Sequence, residues 1–260
     1  MGTRRPPLTL DALSLRKAER AFLAGGTETG KSTLADYLGL DFVRRYGVSS
    51  DGYRLPVKKR ARRLLLDSKP RYRARWTVQG VSAARRYKSW DHGPLVPNSV
   101  VVDDLADLRS AWELSDCETV IVQGRGRREI PRLVAAADLF LEDCRASQPH
   151  LLQVDETMDF FYPNGSPIGG NDAILQFARA GRERGGAALY CSQRTKGIPA
   201  QLMEELTRLY AFRLDYKADA KRFQEMGAPP FPLPTEIHQF MYWYKRDYRH
   251  VYGPYRLALR

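Results

Sequence analysis

Arg20-Ala-Phe-Leu-Ala-Gly-Gly-Thr-Glu-Thr-Gly-Lys-Ser-Thr-Leu-Ala-Asp-Tyr-Leu-Gly-Leu-Asp-Phe-Val43 is the stretch on which the fold turns. A brief, mostly apolar run ends in paired glycines. Leu34, Tyr37, Leu38, Phe42 and Val43 then recur at helical spacing, so the segment up to Tyr46 reads as strand, glycine loop and helix. Gly25–Ser32 satisfies GxxxxGK[ST] in full, in the context the motif requires. Each part has a physical task. Gly25, Gly26 and Gly30 let the loop bend so that successive backbone N–H groups through Thr27, Glu28 and Thr29 turn inward toward phosphate oxygens. The helix starting near Lys31 adds its positive dipole end. Lys31 is positioned to neutralise the β and γ oxygens and the Ser32 hydroxyl to ligate Mg2+, with Thr33 completing the cradle. The expected cofactors are ATP and Mg2+.

Working outward, short strands are expected at Arg63–Asp67, Ser99–Val102, Thr119–Val122, His150–Val154, Ala187–Cys191 and Leu209–Leu214. Helices are expected at Ile130–Cys144, Asn171–Arg184, Pro199–Leu206 and Ala218–Met226. Strands alternating with helices imply an α/β fold, a mostly parallel sheet flanked by helices, of the P-loop NTPase (RecA-like) kind. A lead over 1–19, a P-loop domain over 20–226 with a basic insertion at about 54–98, and an extension over 227–260 complete the expected organisation. The extension opens with the stiff run Ala228-Pro-Pro-Phe-Pro-Leu-Pro234. Its Phe240-Met-Tyr-Trp-Tyr244 is either a last strand of the sheet or an arm reaching a neighbour.

The 260 residues are 43% apolar and 28% charged, enough for a real core. Lys and Arg total 42 against 30 acids, a net +12 that calls for a polyanionic partner. Three cysteines, Cys117, Cys144 and Cys191, match neither a disulfide framework nor a CxxC metal pair. No apolar run reaches the roughly 20 residues of a membrane span. A soluble, intracellular protein is expected.

A P-loop needs a carboxylate at the end of a neighbouring strand, and His150-Leu-Leu-Gln-Val-Asp155-Glu156 supplies two. Asp155 is the expected Walker B partner of the metal. Glu156 is placed to polarise water as general base, which favours hydrolysis over transfer to a small acceptor. Gln193, ending the strand Leu189-Tyr-Cys-Ser-Gln193, falls on the same rim, either as a plain turn residue or as a side chain placed to hydrogen-bond the γ-phosphate or its water. The basic helix end Arg179-Ala-Gly-Arg182-Glu-Arg184 either complements a helix C-terminus or supplies an arginine finger to a neighbour.

Between Arg54 and Lys88 stand thirteen Lys or Arg and one acid, Asp67, with Tyr53, Tyr72, Trp76, Tyr87 and Trp90 interleaved. Such a density repels itself unless something anionic pairs with it, and double-stranded DNA is the expected partner, ahead of a capsid surface or acidic lipid headgroups. Arg60, Arg62, Arg71, Arg73 and Arg75 are its expected contacts. Arg125, Arg127 and Arg128, in a loop after a strand, are either a pore loop on the same DNA or an exposed turn. Lys69, at a strand end near the nucleotide, serves either phosphate or DNA.

The order of these motifs, from the P-loop through Leu64-Leu-Leu-Asp-Ser-Lys69, Asp155-Glu156 and Gly181-Arg182 to Ala187-Ala-Leu-Tyr-Cys-Ser-Gln-Arg194 and Lys196-Gly-Ile-Pro199, resembles the FtsK/HerA superfamily of DNA-pumping ATPases. Within it, the chain is most similar to the genome-packaging ATPases of tailless, internal-membrane viruses. The resemblance implies a homo-oligomeric ring, a hexamer, threading double-stranded DNA into a preformed capsid beside vertex or portal proteins. It also implies Arg182 as a finger acting in trans, with Arg179 and Arg184 as rivals, and Gln193 as the sensor. Cys191-Ser192 and Arg194-Thr195 depart from the family pattern. The alternatives are a plasmid or mobile-element DNA translocase of the same superfamily, a P-loop nucleotide kinase, and a DNA-binding regulator that uses ATP only to assemble.

Overall fold

The computed structural model describes residues 13–56, 59–77, 95–114, 117–144, 148–225, 228, 234–236, 238–245 and 251–256. Among them ten strands form one sheet: β1 Arg20–Ala24, β2 Arg62–Asp67, β3 Arg73–Thr77, β4 Leu95–Val102, β5 Thr119–Gln123, β6 His150–Val154, β7 Gly186–Ser192, β8 Arg208–Phe212, β9 Gln239–Tyr244 and β10 Val251–Arg256. The order across the sheet is β10-β9-β8-β1-β7-β6-β2-β5-β4-β3. Pairing is parallel from β8 to β3, and β9 and β10 are antiparallel. Six α-helices lie wholly within the described residues: α1 Lys31–Arg45, α2 Ala106–Leu114, α3 Ile130–Asp143, α4 Ala173–Ala180, α5 Ala200–Glu205 and α6 Lys217–Glu225.

The apolar strands are buried on both faces, as parallel strands covered by helices must be. Ala21 and Leu23 of β1 pack with Leu34, Leu38 and Phe42 of α1, while Phe22 and Ala24 face the opposite core with Leu133, Phe140 and Phe177 of α3 and α4. This alternation fixes the register in which the strand ends meet. Ala24 lies opposite Ser192, and Val154 opposite both Leu66 and Tyr190, so β1, β7, β6 and β2 finish on one common rim.

The structure decides between two alternatives of the sequence reading in one place and departs from it in others. Residues 239–244 take the strand alternative, antiparallel to β8, and β10 extends the sheet once more, so the stretch set apart as an extension supplies two of its strands. β10 carries an irregularity between Tyr252 and Tyr255, where Gly253 adopts φ +120°. The helix expected over Asn171–Arg184 stops at Ala180. Gly181 closes onto the Phe177 carbonyl, and Gly185 at φ +75° turns the chain into β7. Arg182 and Arg184 therefore stand on a turn. β3 and α2 were not anticipated.

Candidate functional site

The Gly25–Ser32 loop leaves the end of β1 and enters α1 with Gly30 at φ +95°. The Gly25 N–H donates to the Ser192 carbonyl at 3.2 Å and that of Gly26 to the Arg213 carbonyl at 3.0 Å, tying the loop to the ends of β7 and β8. A Cβ on Gly25 would lie 2.5 Å from Cβ of Phe212, so only glycine fits there. Thr29 Oγ1 donates to the Gly26 carbonyl at 3.0 Å, while Thr27, Glu28 and Thr33 face outward. Lys31 is only 4% exposed, yet among the described residues its ammonium makes no ion pair. A buried cation without a carboxylate is the donor a polyphosphate requires.

Across the rim lie the carboxylates. Ser32 Oγ donates to Asp155 Oδ1 at 3.4 Å, and the Tyr72 hydroxyl to the same oxygen at 3.1 Å. Glu156, fully buried, accepts on Oε1 from Ser192 Oγ at 2.8 Å and from the Gln193 N–H at 3.0 Å. Asp155 Oδ2 and Glu156 Oε2 are both buried and accept no hydrogen bond. Two cations approach them: Arg71 Nη1 stands 3.5 Å from Asp155 Oδ2, and Lys69 Nζ 4.0 Å from Glu156 Oε2 and 3.3 Å from Asp159. A hydroxyl and a carboxylate that share a contact, beside acceptors left open in a buried place, fit a hard divalent cation with a bound water. Among the described residues no group of three or more His, Cys, Asp or Glu is placed to hold a metal by itself, so a cation here would rely on the Ser32 hydroxyl and Asp155 together with the oxygens of a bound nucleotide.

Lys69 and Arg71 owe their positions to Asp67. Its Oδ2 accepts the Arg71 N–H at 2.7 Å, the Tyr72 N–H at 3.1 Å and Gln123 Nε2 at 3.0 Å, folding the loop after β2 back onto the site. Burial pushes the Asp67 carboxyl up to about 7, against the pull of these donors. Tyr72, read from the sequence as one of the aromatics in a basic tract, is 4% exposed and braces Asp155.

The sequence-predicted residues are thus only partly brought together. Lys31, Ser32, Asp155, Glu156 and Gln193 share the rim. It is the backbone of Gln193 that meets Glu156. Arg182, exposed, lies on the turn preceding β7, at the opposite edge of the sheet from the P-loop. Of its rivals, Arg184 donates to the Leu141 carbonyl at 2.7 Å and Arg179 is exposed. The eight arginines assigned to DNA fall into separate groups. Arg60 and Arg62 sit where β2 begins, on the edge away from the P-loop, Arg60 on the Leu55 carbonyl and Arg62 against Trp112. Arg71 is at the carboxylates, and Arg125, Arg127 and Arg128 are exposed on the P-loop rim. Arg73 and Arg75 belong to β3, but their side chains lie outside the described residues, as do Arg85, Arg86 and Lys88.

Ser192, noted in the sequence only as a departure from a family pattern, holds Glu156. The signal was its place: one residue before Gln193, on a strand whose register sets it level with Glu156.

The fold and the loop together define a P-loop NTPase, with β7, which ends at Ser192 just before Gln193, lying between the P-loop strand and the strand that leads into Asp155-Glu156. The chain is similar in structure to the genome packaging NTPase B204 from Sulfolobus turreted icosahedral virus 2, at TM-score 0.58 and 13% identity, over 93% of this chain and 98% of that one. It is similar to B204, the DNA-packaging ATPase from Sulfolobus turreted icosahedral virus, at TM-score 0.55 and 14% identity, over 93% and 100%. It also resembles EssC (ATPases 2 and 3) from Geobacillus thermodenitrificans, at TM-score 0.52 and 12% identity, over 87% of this chain and 38% of that one. At these identities the likenesses show a shared fold. No protein-family model matches the chain, and no curated protein matches it either. No helix among the described residues is long and apolar enough to cross a membrane.

Proposed function

We propose that the chain is an ATPase that spends ATP hydrolysis on moving double-stranded DNA, packaging a viral genome into a preformed capsid. The observation that carries this reading is the posture of Glu156. It is fully buried, with one oxygen held by Ser192 and Gln193 and the other accepting no hydrogen bond. That is a carboxylate arranged to take a proton from water rather than to bind a substrate hydroxyl. The fold shared with a packaging NTPase along nearly the whole of both chains supports the DNA-moving part.

Ser32 and Asp155 are the residues that would hold Mg2+, which when bound neutralises phosphate charge and orients the nucleotide. The loop from Gly25 to Thr33 cradles the phosphates with its N–H groups, and Lys31 binds the β and γ oxygens. Glu156 Oε2 accepts the proton of the attacking water, and Gln193 positions the γ-phosphate or that water. Arg182, too far across the sheet to serve its own P-loop, completes the site of the next copy in a hexameric ring. Double-stranded DNA is the partner, with capsid vertex or portal proteins at the docking end, in the host cytoplasm or on the virion.

The test is steady-state ATP hydrolysis with and without long duplex DNA, for the native chain and for Glu156→Gln. Stimulation by DNA, and loss of hydrolysis with retained ATP binding in the variant, is the expected result. Hydrolysis that ignores DNA and needs a small phosphate acceptor would replace this reading with a nucleotide kinase.

A further inference from the structure

The loop after β2 and the loop after β5 face each other across a cleft of about 550 Å³, lined by Ser68, Lys69, Pro70, Arg71, Arg125, Gly126, Arg127, Ile130 and Asp159. Four of these are cations and one is an acid, Asp159, which Lys69 and Ser68 already engage at 3.3 and 2.8 Å. A second, smaller cavity shares Arg127 and Asp159 with the first and adds Arg194 and Lys196, so the basic lining continues along the rim. Such a lining is made for a chain of phosphate oxyanions.

Lys69 and Arg71 belong to two places at once. Their side chains are 47% and 35% exposed in the cleft, yet their charged ends lie beside Glu156 Oε2 and Asp155 Oδ2, both fully buried. Those are the two oxygens that accept no hydrogen bond. A cation held there competes for the lone pairs that a metal site and an attacking water need. It also supplies the counter-charge without which buried carboxylates are costly.

We propose that the cleft between the loops after β2 and β5 binds backbone phosphates of DNA, and that phosphate there draws Lys69 and Arg71 away from Glu156 and Asp155. The proposal rests on the ATP-driven DNA motor proposed above and adds how DNA reaches its chemistry. Without DNA the carboxylates are latched. With DNA the same two cations turn outward to the phosphates, and the carboxylates are released to the nucleotide. For Lys69 and Arg71 the exchange is cheap, because they pass from one anionic partner to another; the counter-charge that the buried carboxylates lose is the one that Mg2+ on Ser32 and Asp155 would supply. The phosphate has two conceivable sources, a DNA backbone or a nucleotide, and the experiment separates them.

A fluorescein-labelled 30-base-pair duplex is titrated in the absence of nucleotide, over a range of salt, into the native chain and into Arg125→Ala/Arg127→Ala. Hydrolysis is measured in parallel for Lys69→Gln/Arg71→Gln. Loss of the two arginines should weaken duplex binding about tenfold and reduce the slope of log affinity against log salt by about 2, one per lost phosphate contact. Lys69→Gln/Arg71→Gln should raise DNA-free hydrolysis toward the DNA-stimulated rate and flatten the response to duplex. Unchanged affinity and slope in the arginine variant, or unchanged or lower DNA-free hydrolysis in the lysine-arginine variant, overturns the proposal. Binding of a fluorescent ATP analogue to Lys31→Ala that Arg125→Ala/Arg127→Ala then removes would assign the cleft to a nucleotide and also overturn it. A native chain that binds no duplex would fail the motor reading itself, an outcome distinct from a native chain that binds while its variants do not differ.

Discussion

Two groups of charge at opposite ends of the strands, one around Glu19 and Arg63 and one around Asp155 and Glu156, are built in opposite ways. At the end where β1, β2 and β8 begin, ions are locked into the fabric. Arg208 meets Glu19 at 2.8 Å, both nearly inaccessible, and Tyr244 donates to the same carboxylate at 3.0 Å. Arg63, fully buried at the start of β2, reaches Asp36 of α1 at 2.7 Å, where a Cβ on Gly39 would lie 2.7 Å from its guanidinium. At the opposite rim, Lys69 and Arg71 hold longer contacts at 4.0 and 3.5 Å and remain partly exposed. Short, sealed pairs serve architecture. Long, half-open pairs around carboxylates with unused oxygens are placed to be exchanged.

Breaking a sealed pair tests this most severely. Asp36→Ala strands the Arg63 charge inside the protein and should cost about 3–5 kcal/mol in urea unfolding, whereas a loss below about 1 kcal/mol would class that pair with the rim. Next in size is Ser192→Ala, which removes one of the two donors orienting Glu156. Hydrolysis should fall by about ten- to a hundredfold with ATP affinity and melting temperature nearly unchanged; a matching fall in melting temperature would mark Ser192 as structural only.

The third prediction sets the two ends of the β2–β6 pair against each other through pH. Burial raises Asp67, at the rim, to about 7, so the folded chain holds a proton that the unfolded chain releases near pH 4. Its contribution is complete below about pH 4 and is lost as pH rises to about 7. Burial lowers His150, at the far end, to about 4, so its contribution is complete above about pH 6.5 and is lost as pH falls to about 4. Between those limits the slopes oppose and nearly cancel in the native chain. Asp67→Asn should expose a rise, and His150→Gln a fall, of about 1.4 kcal/mol per pH unit, and denaturant unfolding at stepped pH reads both. Smallest is Lys69→Gln: the half-exposed lysine stands 4.0 Å from Glu156 and pairs more closely with Asp159, and its loss leaves Arg71 beside the buried carboxylates, so unfolding should change by no more than about 1 kcal/mol; a larger loss would make Lys69 part of the fabric.

What could be read in advance followed the same division. β1, β6 and α1 were legible because each is an apolar stretch of clear period ended by glycine or acid, and Gly25–Ser32 with Asp155-Glu156 follows from them. β3 was hidden because Arg73-Ala-Arg-Trp-Thr77 carries basic residues where an edge strand needs only backbone pairing with β4. α2, Ala106–Leu114, does place Leu108, Ala111 and Trp112 at helical spacing, but over too few residues to stand out. Tyr72 and Ser192 were beyond a linear reading, since their tasks depend on which strand ends fall level with one another.

The last strand has a bearing on what copies of this chain can do together. β10 ends the sheet with a distorted pairing around Gly253 and a proline, Pro254, that has no N–H to offer. A border of this kind is a poor template for another strand. Fusion of two sheets into a continuous fibre is thereby discouraged at this margin, and copies that meet along it do so through side-chain surfaces, which can slide and re-register, rather than through a welded backbone seam.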